Sequence, residues 1–135
     1  ISVGFPDIVD RSIIVRIRLV SHTRVVVHAG IDEEAGDLWE WGTTEDVFTS
    51  KYPPETGEIP DLDMKVVAGH VSTEEISGER GFFDIYYDGA SHYYIDGNVK
   101  ASGRLNVIKV DTEQEKFYRV TESGDWLILP YEEEN

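Results

Sequence analysis

This sequence predicts a strand-rich domain of the mixed α/β (α+β) class, and three observations carry the prediction. Short β-branched and aromatic runs recur along the chain, each bounded by Gly, Pro, Asp or Ser, which is how strands are punctuated. Patterns with the 3.6-residue period of a helix are few. The chain has 135 residues, 40 % of them hydrophobic, which suffices for one buried core and leaves little for a second domain.

The elements follow in order. Ile13 to Val20 (IIVRIRLV) alternates apolar residues with Arg16 and Arg18, so it reads as a strand with both arginines on one face. Arg24 to His28 (RVVVH) is a second strand, ended by Ala29 and Gly30, and Glu33, Glu34, Gly36 and Asp37 mark a loop. Thr43 and Thr44 before Glu45 and Asp46 cap one short helical turn through Val47 and Phe48. Tyr52 to Pro60 (YPPETGEIP) holds three prolines and a glycine, a composition that rejects helix and central strand alike. Met64 to Gly69 is a buried strand ending at His70, and Ser77 to Gly81 is a turn. Phe82 to Tyr87, His92 to Asp96 and Arg104 to Val110 are further strands, separated by Asp88-Gly89 and by Gly97 to Gly103. Lys116 to Val120 forms a hairpin with Arg104 to Val110, and Trp126 to Leu129 is a last strand stopped by Pro130. Residues 1–23 form an atypical N-terminal segment and 131–135 an acidic tail. The chain begins at Ile1 and reads as a processed, truncated or partial product.

Twelve basic against twenty-seven acidic residues give a formal charge of -15, and the first thirty residues hold four of the basic and only two of the acidic groups. Such a field repels a phosphate backbone, so nucleic acid is excluded as a first partner. With no cysteine there is no disulfide framework and no thiolate ligand, which suits a cytoplasmic protein. Neither a signal peptide nor an apolar run of spanning length is present, so a soluble protein with no membrane partner is expected.

Two of the four histidines share a setting: His28 closes VVVH before Ala29-Gly30, and His70 closes KVVAG before Val71. A strand end beside small residues holds a side chain rigidly while a ligand approaches bare backbone, as a metal site requires. Imidazole suits Mn, Fe or Zn, though two histidines alone leave such an ion short of ligands. The alternative is a pair of structural histidines. His92, in SHYYIDG, reads as structural, and Tyr86, Tyr87, Tyr93 and Tyr94 as filling one sheet face. Trp39 and Trp41 either border the site or pack in the core.

VVVHAGID (25–32), DLWEWG, DVFTSKYPPETG, KVVAGHVST (65–73) and DIYYDGASHYYIDGNVKASGRLNVIKVD (84–111) resemble, in order and spacing, successive blocks of the calcineurin-like metallophosphoesterases. The bacterial serine/threonine protein phosphatases and symmetric dinucleoside tetraphosphatases are the members most similar. The resemblance spans residues 24–120 and covers the carboxy-terminal half of that family's domain. It implies a four-layer αββα sandwich and hydrolysis of phosphate esters at two divalent metals, Mn foremost with Fe or Zn as alternatives. There a bridging hydroxide attacks phosphorus, the ions having lowered the pKa of the attacking water. His28 and His70 would each ligate the second metal, and the substrate would be a phosphoprotein or a nucleotide.

The family's GD-x-H and GNHE motifs are absent. PDIVDRS (6–12) echoes its GD-x-x-DRG motif, with Asp7 at the bridging aspartate and Arg11 at the phosphate-contacting arginine, but without the flanking glycines. Where members carry a phosphate-gripping arginine, this chain reads FTSKYP, with Lys51 as its cation. A lysine there attracts phosphate as a point charge with less directional grip; the alternative is a solvated loop residue. These departures motivate a second expectation, a catalytically incomplete remnant that binds or scaffolds and forms a homo-oligomer through an exposed sheet.

Overall fold

The computed structural model describes residues 2–4, 19–20 and 23–133. Nine strands run through them: β1 (Ser2–Gly4), β2 (Leu19–Val20), β3 (Arg24–Val26), β4 (Lys65–Ala68), β5 (Tyr86–Tyr87), β6 (His92–Tyr94), β7 (Val107–Asp111), β8 (Lys116–Thr121) and β9 (Gly124–Leu127). They form a five-stranded sheet of order β2-β3-β4-β6-β5 and a four-stranded sheet of order β1-β7-β8-β9. In the first, β3, β4 and β6 are parallel, with Val26 opposite Val67 and Val67 opposite Tyr93. The second is antiparallel throughout. Mixed helix and strand content with two sheets is the α/β class that the sequence predicts.

Parallel neighbours need long crossovers. The β3–β4 crossover contains a 3-10 segment (Glu33–Leu38), helix α1 (Trp39–Gly42) and helix α2 (Glu45–Ser50); β4 to β6 passes through helix α3 (Thr73–Ser77) and β5, and helix α4 (Val99–Ser102) follows β6. Strands covered on both faces read as continuous apolar runs, which explains the run Val25 to Val27 at the end of β3 and VVA in β4. Val26, Val67 and Tyr93 face the antiparallel sheet and pack with Ile108, Val110 and Phe117. Val25, Val66 and Tyr94 face the other way, under Ile31, Trp39, Phe48 and Ile59. Two cores therefore flank the mixed sheet, one against helices and loops and one against the second sheet.

Several sequence expectations need correction. Glu33 to Asp37, expected as a loop, is helical because Asp32 accepts a hydrogen bond from the Glu34 amide and Gly36, at φ 56°, joins two short pieces. Helix α3 was not expected; Ser72 caps it by accepting from the Glu75 amide, and Gly78 closes it in the left-handed region. S-T-E-E is the start signal for such a helix. Of Phe82 to Tyr87 only Tyr86 and Tyr87 are strand, and Gly97 to Gly103 contains α4. The four tyrosines do not fill one face. Tyr87 and Tyr93 lie in the core between the sheets, while Tyr86 and Tyr94 lie in the other core, as the two-residue period of a strand demands.

Other expectations match. Thr44 caps α2 through the Val47 amide, and β7 pairs with β8 as a hairpin, Val110 opposite Phe117. Of Ile13 to Val20, Leu19 and Val20 form β2; the rest lies outside the described residues. No helix among the described residues is long and apolar enough to cross a membrane.

Candidate functional site

His28 lies two residues beyond β3 and His70 two beyond β4, so both stand at the carboxyl ends of neighbouring parallel strands. Ligands of open α/β sheets bind at that end. His28 Nε2 is 3.3 Å from His70 Nδ1, and the rings meet edge to face with centroids 5.1 Å apart. The backbones are coupled too, since the Gly69 amide donates to the His28 carbonyl at 2.8 Å. His70 holds a left-handed φ of 71°, a conformation that L residues avoid and that clusters at functional sites. His28 is half-buried and His70 exposed.

Beside this pair runs a buried chain of alternating charges. His92, 1 % exposed, lies between two carboxylates, with Nδ1 2.8 Å from Asp88 Oδ2 and Nε2 3.1 Å from Glu33 Oε1. Glu33 also binds the Lys51 ammonium, which donates to the Ile31 carbonyl at 2.7 Å and lies 3.6 Å from Glu55. Burial opposes charge on His92, but the hydrogen bonds its ring donates to Asp88 and Glu33 outweigh it and push the imidazole up to about 9. Burial likewise opposes charge on Asp88, yet its hydrogen bonds from His92 and from the Ala90 and Gly57 amides hold it at about 2. Glu33 is lowered by His92 and Lys51 against its own desolvation. The site thus keeps buried charges in register by pairing each with its opposite.

Among the residues expected at the site, His28 and His70 are brought together. Lys51, far along the chain from His28, sits beneath the same loop; its side chain is mostly buried and engaged by Glu33. Asp7 and Arg11 lie outside the described residues. Trp39 is buried in the core, whereas Trp41 is 91 % exposed. Arg104 pairs with Asp84 at 3.2 Å, away from both histidines. Among the described residues no group of three or more His, Asp or Glu is arranged to hold a metal. Two clefts of about 290 and 270 Å³ lie around Asp84 and Arg119, and neither is lined by His28 or His70.

Sequence reasoning did not find the Glu33–His92–Asp88 network. One half was legible: Asp88 stands four residues before His92 across a Gly-containing turn, where a carboxylate can cap the turn and meet the ring. The other half joins residues 59 apart, and nothing local announces it. No protein-family model, curated protein or solved structure matches this chain.

Proposed function

We propose that this chain carries the carboxy-terminal half of a calcineurin-like metallophosphoesterase, in which His28 and His70 hold a divalent metal at a phosphate-ester-hydrolysing site. The observation that carries the reading is the 3.3 Å between His28 Nε2 and His70 Nδ1. Two nitrogens each about 2.0–2.1 Å from one tetrahedral ion lie about 3.3 Å apart, so the imidazoles fit adjacent positions on a single ion. The sequence blocks around them, VVVHAGID and KVVAGHVST, resemble the family's metal-binding blocks at those same residues.

When bound, a pair of such metals supplies an acidified water and neutralises charge on the phosphoryl oxygens. The protein's own part is to hold both rings at rigid strand ends and to leave His70 open to solvent. Mn is the expected ion, with Fe or Zn as alternatives, and the substrate is a phosphoprotein or a nucleotide. Asp7, as bridging ligand, and Arg11, as phosphate contact, complete the proposal, together with a four-layer αββα sandwich in the intact domain and a cytoplasmic setting.

The test is Mn²⁺-dependent hydrolysis of a chromogenic phosphate monoester by the chain, beside a His70→Ala control. Turnover lost in the control supports the enzyme. Absence of turnover in a folded chain overturns catalysis by this polypeptide and leaves the second reading, a binding or structural domain. That reading is favoured by the partly exposed Trp126, Leu127 and Leu129 on and after the edge strand β9, a surface suited to self-association. Sedimentation of a strict monomer counts against it.

A further inference from the structure

We propose that the buried series Asp88–His92–Glu33–Lys51 is the positioning device of the His28 loop, setting the distance between His28 and His70. The proposal rests on the metal-site reading for its purpose and on geometry for its content. The four groups alternate in sign, and each touches the next: Asp88 to His92 at 2.8 Å, His92 to Glu33 at 3.1 Å, Glu33 to Lys51 through a short ion pair. The series ends on the Ile31 carbonyl, which Lys51 Nζ holds at 2.7 Å. Ile31 is three residues from His28, and its side chain is fully buried.

The loop between His28 and Glu33 is consequently fastened along its length. The Ala29 amide donates to the Phe48 carbonyl at 2.8 Å and the Asp32 amide to Thr43 Oγ1 at 2.9 Å. Gly30 lies against the Lys51 stem, so closely that a Cβ at Gly30 would come 2.8 Å from Lys51 Cδ. A side chain at 30 would therefore displace the lysine stem that passes beneath the loop to reach Ile31 and Glu33. At the far end, Asp88 accepts from the Gly57 amide at 2.7 Å, and Ser91 Oγ accepts from the Ile59 amide at 3.1 Å, which ties the proline-rich loop to the same support.

The groups facing His92 are Asp88, Glu33 and the ring of Tyr94, stacked at 5.8 Å. Only the carboxylates have charge to share with it at neutral pH. Glu33 is the joint of the series, because it alone touches both cations. Removing its charge uncouples the β5–β6 turn from the loop that carries His28, while the hydrophobic contacts of β3 and β4 remain. Lys51 and Glu33 thereby act as positioning residues and not as ligands or substrate contacts.

The experiment compares the full chain with Glu33→Gln, Lys51→Met and Gly30→Ala by NMR, reading the cross-relaxation between the non-exchangeable ring protons of His28 and His70. Contacts between Val26 and Val67 serve as the internal standard of an intact sheet. In each folded variant the His28–His70 cross-peak falls at least threefold while the Val26–Val67 contacts keep their intensity, and Zn²⁺ affinity measured by calorimetry falls about tenfold. An unchanged cross-peak in folded Lys51→Met overturns the proposal, because that change removes the ammonium with its contacts to Ile31 and Glu33 and keeps an apolar stem. Should Glu33→Gln not fold, Lys51→Met and Gly30→Ala carry the same reading. A wild-type chain with the cross-peak and no Zn²⁺ affinity sinks the metal reading and leaves the positioning intact; Zn²⁺ affinity preserved in every variant with an unchanged cross-peak does the reverse.

Discussion

Raising the pH through the titration of His92 should weaken the fold, and the size of the effect follows from the contacts of that one ring. His92 is enclosed between Asp88 and Glu33, and its pKa is raised from 6.5 to about 9. Below about pH 6.5 the imidazole is charged in both folded and unfolded chains, and the contribution is fully present. Between 6.5 and 9 the unfolded chain releases the proton that the folded chain retains, so stability falls with pH until the folded pKa is passed. At about 1.4 kcal/mol for each tenfold change, the interval is worth roughly 3 kcal/mol, a large share of the 5–15 kcal/mol typical of a domain. Asp88, held at about 2, reports the same contact on the acid side, where its share is present above its unfolded value and is lost as pH falls through 2. Urea unfolding followed by far-ultraviolet circular dichroism at about pH 6 and about pH 9.5 measures the loss. His92→Asn removes the cation and leaves two buried carboxylates facing each other, so it should cost about 3–5 kcal/mol at the lower pH and flatten the profile. A wild-type stability that stays constant across this window, or a variant with the wild-type slope, would refute the reasoning.

Two further outcomes are expected. His70→Gly should keep or raise stability, by up to about 1 kcal/mol, because glycine relieves the left-handed backbone, while Zn²⁺ affinity by calorimetry drops; a clear fall in melting temperature would show that the ring packs more than its exposure implies. Phe117→Ala should destabilise by about 3–5 kcal/mol in urea titration, since Phe117 is buried and stacks on Tyr93 with centroids 4.4 Å apart. A cost under about 1 kcal/mol would mean that the two sheets do not share that core.

The strands and the histidine pair were legible because their signals are local. VVVH and KVVAGH carry the apolar run, the strand end and the imidazole within six residues each, and the period of the backbone does the rest. Helix α3 was equally legible in S-T-E-E and went unread. Short helices such as α1 and α4, four residues each, are too brief for periodicity to declare. The facing of the tyrosines follows from alternation along β5 and β6, though not which core each would enter, as that depends on where the second sheet lies.

What the sequence determined by itself was therefore the class of fold, the hairpin of β7 and β8, the cap of α2 and the placing of His28 and His70 at strand ends. Only the tertiary structure decided that β3 and β4 are adjacent and parallel, which turns two separate strand ends into a pair of rings 3.3 Å apart. It also decided the contacts of Lys51. Read along the chain, Lys51 is a cation in a loop; folded, it meets Glu33, eighteen residues earlier, and through it His92. The physical reason is the range of the forces: capping and alternation act over a few residues, whereas a buried charge finds its partner only after the chain has closed on itself and water has left.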